Sequence, residues 1–156
     1  MTSNPTTTLE KVLFQQLDLV VTKTIHLKKY ESVTNSEIVC EIFRKIWPAD
    51  INHRESSVAI YLSRNNKPLG YSIISIGGIT GTVLDTRVIF QHALTCNACS
   101  FIIAHSHPSG NLKPSIQDDN ITKKLKCAGE VLEILLLDHL ILTDSGYFSY
   151  ADEARL

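Results

Sequence analysis

Two histidines and one aspartate stand at a spacing that suits a single metal ion. His105 and His107 follow the apolar run 101–104, and Asp118 follows the loop 108–114, which contains Pro and Gly. Residues two apart at the end of an extended strand point to the same side, so both imidazoles can face one ion. A carboxylate in the first turn of the next helix can add a third ligand. It would leave a fourth tetrahedral position for water, as in catalytic zinc sites.

This ligand set predicts hydrolytic chemistry. Two neutral imidazoles and one carboxylate leave a bound zinc ion with net positive charge, which lowers the pKa of coordinated water towards about 7. Hydrolysis also needs a base that takes the proton of this water, and Glu55 is the best candidate because it begins an alternating strand. Each feature alone also has an ordinary explanation. The histidines can be unrelated, Glu55 can be a solvated charge, and Ser115 with Asp118 can be a helix capping box.

The elements that must position these residues alternate between strand and helix. The patterns predict strands over Leu17–Thr24, Glu55–Leu62, Tyr71–Ile76, Phe101–Ala104 and Ile134–Thr143. They predict helices over Ser36–Trp47, around Val88–Leu94, over Ser115–Cys127 with a stop at Gly129, and near Tyr150–Leu156. We therefore expect an α/β fold, a three-layer α/β/α domain with a mixed sheet.

The composition is that of one globular domain. The 156 residues are 44% hydrophobic and 20% charged, and a chain of this length can bury a core without disulfides or metal. Residues 1–16 are expected to form a disordered leader, and residues 17–156 the domain. The polar start has no apolar segment, and no stretch approaches 18 apolar residues, so neither secretion nor membrane insertion is expected.

The cysteines and the overall charge restrict the compartment and the partners. Four cysteines at irregular spacings indicate free thiols and a cytoplasmic location. Cys96 and Cys99 lack a second pair, which favours buried thiols over a redox or metal site. The net charge of −1 provides no global field for nucleic acid, so direct DNA binding would need a local patch. Three lysines follow Asp118 on the same predicted helix: Lys123, Lys124 and Lys126. They are more typical of a solvated helix face than of a patch that binds DNA.

Two further sequence features bear on the site. His139 lies beside Asp138 in an apolar strand, which favours a hydrogen-bonded core histidine over a residue that supports the site from behind. A zinc deaminase is disfavoured, because its H-x-E motif precedes its CxxC, whereas here the CxxC comes first and His107 occupies the Glu position.

Together these residues resemble a known motif. Glu55 followed by His-Ser-His-(x7)-Ser-x-x-Asp, at His105 to Asp118, resembles the JAMM (JAB/MPN-plus) metalloprotease motif. The loop sequence after His105, the segment Gly77–Thr82 and the segment Leu137–Leu140 resemble the RadC branch of that superfamily. The resemblance extends over roughly Leu17–Leu156.

The resemblance implies a cytidine-deaminase-like JAB/MPN fold and one zinc ion per chain, held by His105, His107 and Asp118. It implies Glu55 as general base and Ser115 as a donor to the oxyanion during hydrolysis of a peptide or isopeptide bond.

The alternative is an accessory module in DNA repair or mobile-element DNA metabolism with little or no activity of its own, brought to DNA by a protein partner. Longer RadC-like proteins carry a helix-hairpin-helix region, which we do not expect in this sequence because few residues come before the domain. A two-metal phosphodiesterase is disfavoured, since the motif offers one mononuclear set. The substrate's identity and the oligomeric state are not predicted.

Overall fold

The computed structural model describes residues 32–78 and 83–156. The helices in these residues are Ser36–Ile46 (α1), Thr86–Thr95 (α2) and Ile116–Leu132 (α3). The strands are Ser56–Leu62 (β1), Pro68–Ile76 (β2), Ser100–Ser106 (β3), Leu135–Leu142 (β4) and Tyr147–Ser149 (β5). The predicted leader 1–16 and the predicted strand Leu17–Thr24 lie outside the described residues. No helix in the described part of the chain is both long and apolar enough to cross a bilayer.

The five strands form one mixed sheet in the order β2-β1-β3-β4-β5. β1 runs antiparallel to both β2 and β3, β3 runs parallel to β4, and β4 runs antiparallel to β5. A parallel pair requires a crossover connection, which α3 provides between β3 and β4. The predicted mixed sheet is therefore confirmed, and the crossover returns the chain beside the strand that carries the histidines.

Helices cover both faces of the sheet. On one face, α1 buries Ile42 and Phe43 against alternate residues of β1, including Val58 and Ile60. On the other face, α2 and α3 pack against the intervening residues of the strands, such as Phe101. All seven residues of β1 are buried, because the strand lies between two others in the sheet and has helices above and below it. This arrangement is the predicted α/β/α layering.

The predicted stop of the third helix at Gly129 is wrong. α3 continues to Leu132 and ends where Glu133 adopts a left-handed conformation, with φ 57°. The Gly129 carbonyl accepts the N–H of Ile134 at 2.9 Å, so the chain turns back tightly over this glycine. Gly129 is needed for close packing against this return rather than for ending the helix.

Replacing Gly129 with alanine is expected to destabilise the protein by about 1 to 2 kcal/mol. Alanine favours a helix interior by about 0.5–1 kcal/mol, but its Cβ would clash with the main-chain oxygen of Ile134, and overpacking costs about 1–3 kcal/mol. Urea unfolding measures the difference. Glu130→Ala, an exposed change on the same helix, should stay within about 0.5 kcal/mol of wild type. A Gly129→Ala protein as stable as wild type would refute the close-packing explanation.

The predicted helix near Tyr150–Leu156 is also wrong. After β5 the chain forms turns, in which the N–H of Arg155 donates to the carbonyl of Tyr150 and the N–H of Ala154 to that of Ala151. Ala154 has a φ of 52°, which a right-handed helix does not allow. These turns hold the Tyr150 side chain inside the domain, where it is 1% exposed.

The four cysteines are free thiols, as predicted. Cys40 is buried and Cys96 is half-buried, but Cys99 is exposed, so the prediction of two buried thiols in the CxxC is wrong for Cys99. The side chain of Cys96 turns inward, and its thiol donates to the Ala93 carbonyl at 3.6 Å. Burial raises the pKa of the Cys96 thiol, which keeps it in the unreactive protonated form.

Candidate metal centre

The central strand β3 and its continuation position the two histidines. His105 pairs with Ser57 of β1 on one side and with Ile141 of β4 on the other. After the end of β3 the chain continues alongside β4, since the His107 N–H donates to the Leu142 carbonyl at 2.8 Å. The alternation of an extended chain therefore places both imidazoles on one face, as the spacing predicts.

The first turn of α3 positions the aspartate. The Ser115 hydroxyl accepts the N–H of Asp118 at 3.1 Å, and the Asp118 carboxylate accepts the N–H of Ser115 at 2.7 Å. This reciprocal pair is the predicted capping box, and it sets the direction in which the Asp118 side chain points. The ordinary and the functional explanations of these two residues are therefore compatible.

Nitrogen and oxygen atoms of the three predicted ligands converge. His105 Nε2 lies 2.9 Å from His107 Nε2 and 3.1 Å from Asp118 Oδ1. His107 Nε2 lies 3.6 Å from Asp118 Oδ2. Ligands about 2.0–2.1 Å from a tetrahedral zinc ion are about 3.3 Å from each other, so these separations have the size that zinc requires.

A hydrogen bond to the ring of His107 supports a metal site. His107 Nδ1 lies 2.7 Å from the Asn111 carbonyl, which can only accept, so the ring proton is on Nδ1. The lone pair of Nε2 in the neutral ring then faces His105 and Asp118. A lone pair directed at a carboxylate is repelled unless a cation or a proton lies between them. The donor set therefore fits a metal ion.

His139 lies behind His105 and is completely buried. Its Nε2 is 2.8 Å from His105 Nδ1, and its Nδ1 is 2.6 Å from the Thr122 hydroxyl. The ring stacks on Tyr150 with centroids 4.9 Å apart and an angle of 6° between the planes. His139 is thus a hydrogen-bonded core histidine, as predicted, and it also contacts the candidate metal centre.

Local interactions determine the charge states of two of these groups. Burial raises the pKa of Asp118, but the neighbouring His105 ring and hydrogen bonds from Ser115 outweigh it, and the pKa lies well below its usual range. Burial, and after it the nearby His105 ring, holds the pKa of His139 well below its ordinary value. At neutral pH Asp118 is therefore a carboxylate and His139 a neutral imidazole.

Glu55 directly precedes β1. The antiparallel register of β1 and β3 ends where Ser57 pairs with His105, two residues after Glu55. Its N–H donates to the Gly78 carbonyl at 3.1 Å, and its carbonyl accepts the N–H of Gly77 at 2.7 Å. The main chain of Glu55 is therefore hydrogen-bonded to the segment that follows β2.

Glu55 is not part of the converging set of ligand atoms. Among residues 32–78 and 83–156, the potential ligand atoms that converge belong to His105, His107 and Asp118, all within 4.8 Å of one another. Glu55 is half-buried. The structure therefore brings the three predicted ligands together and leaves Glu55, the predicted base, outside that group.

The Ser115 hydroxyl already has two partners. Besides accepting the N–H of Asp118, it donates to Asp118 Oδ2 at 2.7 Å. To donate to a substrate oxygen, it would have to release this carboxylate oxygen.

Two residues of the centre were missed in the sequence. Thr122 lies one helical turn after Asp118, so the same-face spacing of four residues could have indicated it. Tyr150 had no comparable signal, because the turns of the C-terminal segment bring it to His139.

A mixed sheet between helix layers, with a His-x-His pair facing an aspartate on the next helix, defines an α/β domain of the JAB/MPN type. The family model described as "RadC-like JAB domain" matches residues 33–155. The chain therefore belongs to the RadC-like JAB domain family, which confirms the resemblance drawn from the motif.

Bacterial relatives agree with this assignment. The chain is 41% identical over 125 residues to a UPF0758 protein of Flavobacterium johnsoniae, covering 80% of this chain and 54% of the relative. A UPF0758 protein of Streptococcus gordonii is 38% identical over 109 residues, covering 69% of this chain and 48% of the relative. One from Streptococcus sanguinis is 41% identical over 103 residues, covering 66% and 45%. The chain thus spans about half the length of these relatives, and the name they share states no reaction.

Proposed function

We propose that this domain is a zinc-dependent hydrolase of peptide or isopeptide bonds. The observation that carries the proposal is the convergence of His105, His107 and Asp118 within 4.8 Å. The side chains of His107 and Asp118 are 15% and 13% exposed, so solvent reaches the centre. Three protein ligands and access to solvent are typical of catalytic zinc sites, whereas structural sites have four protein ligands.

Each residue has a separate task in this proposal. When bound, zinc would supply a Lewis acid that polarises water and a substrate carbonyl. His105, His107 and Asp118 would hold the ion, and Glu55 would accept the proton of the attacking water and pass it to the leaving amine. The Ser115 hydroxyl, once released from Asp118, would donate to the oxygen that gains negative charge.

Cleavage of a mixed peptide pool tests the proposal. Zinc-loaded protein, the chelated protein and the chelated protein resupplied with zinc are each incubated with the pool, and mass spectrometry detects new termini. We expect cleavage that disappears on chelation and returns with zinc, and the same assay is applied to isopeptide-linked peptides. A chain that takes up no zinc would overturn the proposal and favour the accessory role in DNA metabolism.

A further inference from the structure

We propose that His139 is a positioning residue that fixes the proton of His105 on Nδ1, and that Thr122 in turn fixes the tautomer of His139. The His105 Nε2 lone pair is thereby directed at the candidate metal centre before any ion arrives. This inference rests on the proposed metal site. It assigns a task to two residues outside the ligand set.

The Thr122 hydroxyl decides the direction of this hydrogen-bond chain. Its oxygen is 2.6 Å from the main-chain carbonyl of Asp118, which has no proton, so the hydroxyl must donate there. The same oxygen is 2.6 Å from His139 Nδ1. Since the only hydroxyl proton is already used, His139 Nδ1 must be the donor in this second contact.

The proton on His139 then decides the state of His105. A neutral imidazole carries one ring proton, so His139 with its proton on Nδ1 has a lone pair on Nε2. This atom lies 2.8 Å from His105 Nδ1, which must therefore donate. The neutral His105 ring consequently has its lone pair on Nε2, at 3.1 Å from Asp118 Oδ1. This proton arrangement gives a single donor to each contact between the Asp118 carbonyl and His105 Nδ1. It leaves His105 Nε2 without a proton on the side that faces Asp118 and His107.

Packing prevents the His139 ring from turning to another arrangement. Its face stacks on Tyr150, whose hydroxyl donates to Asp119 Oδ1 at 2.9 Å. The His139 main-chain N–H donates to Asp138 Oδ1 at 2.7 Å, and Asp138 Oδ2 accepts the Ser149 hydroxyl at 2.6 Å. Both the ring and its main chain are held by neighbours from α3 and the C-terminal segment, as expected for a group that orients a metal ligand.

Thr122→Val and Thr122→Ser form the matched pair of variants. Valine has nearly the shape of threonine but no hydroxyl, so His139 Nδ1 loses its acceptor and the ring can move its proton to Nε2. His139 would then donate to His105 Nδ1 and shift the His105 proton to Nε2, the atom needed for the metal. Serine keeps the hydroxyl and should preserve the wild-type order.

Two measurements on the whole chain test this. Nitrogen chemical shifts of the histidine rings in metal-free protein should show His105 protonated on Nδ1 in wild type and Thr122→Ser, and a population protonated on Nε2 in Thr122→Val. Competition with a chelator should show zinc bound about 10–100-fold more weakly by Thr122→Val, with recovery in Thr122→Ser. A role in packing alone would not move the ring shifts.

Two results would overturn the inference. One is a wild-type protein with the His105 proton on Nε2, and another is equal zinc affinity in the two Thr122 variants. The wild-type spectrum shows which nitrogen of His105 carries the proton even if Thr122→Val does not fold. In a second pair of variants, His139→Gln should retain more zinc affinity than His139→Leu, because its amide oxygen can still accept from His105. A wild-type protein with the expected tautomer but no zinc affinity would refute the proposed function and leave the hydrogen-bond order intact.

Discussion

His107→Ala is expected to lower the affinity for zinc by more than about 100-fold. After dialysis, the wild type should keep one zinc ion per chain and the variant essentially none. Losing a partner behind a metal ligand already costs about 10–100-fold, and this change removes a ligand. His107 is better suited to the test than His105, which is 3% exposed and bonded to His139. Since His107 lies at the end of the strand, alanine there should leave the fold intact.

Metal analysis and thermal unfolding both measure this loss. Zinc at about 100 times its dissociation constant stabilises a folded site by about 2.7 kcal/mol, so it should raise the Tm of wild type and leave that of His107→Ala unchanged. His53→Ala is the matched control, because His53 is exposed and outside the converging group. Full zinc binding by His107→Ala would remove this residue from the proposed ligand set.

Glu55→Gln is expected to lower the hydrolysis rate by about 10²–10⁴-fold, which is what a positioned general base contributes. Glutamine keeps the size of the side chain but cannot accept a proton at neutral pH. Zinc content should remain one ion per chain, because the carboxylate lies outside the group of converging atoms. Rates with the substrate found in the peptide pool, together with metal analysis of the same samples, give both quantities.

Glu37→Gln is the control for this change, since Glu37 is an exposed glutamate on α1. It should have wild-type activity and metal content. If Glu55→Gln lost its zinc, Glu55 would be a ligand instead of a base. If it kept the full rate, the base would have to be another group.

The local parts of the fold could be predicted from sequence because neighbouring residues decide them. The α1 pattern, with Val39, Ile42, Phe43 and Ile46 buried, follows from the periodicity of a helix. The Asn35 side chain accepts the N–H of Ile38 at 2.9 Å, as a helix cap should. The hairpin of β1 and β2 follows from alternation and turn residues in the same way.

Two of the wrong predictions concern residues whose environment comes from distant parts of the chain. Glycine is typical of helix ends, but the role of Gly129 is to allow close packing against the main chain of Ile134. The segment after Tyr150 has helix-forming residues, but its packing against β4 and α3 favours turns. Tyr150 stacks on His139, and Arg155 bonds to Asp119 at 2.8 Å.

Sequence alone was enough to predict the ligand types, the spacing that puts His105 and His107 on one face, and the capping box that directs Asp118. These are relations within a strand end, a loop and one helical turn, where chain geometry fixes positions over a few residues. Folding of the whole chain was needed to bring His139 and Thr122 behind His105. Those contacts depend on the strand order and on the parallel crossover, which joins segments 34 residues apart. Hydrophobic burial over the whole sheet selects this arrangement, and no local sequence pattern indicates it.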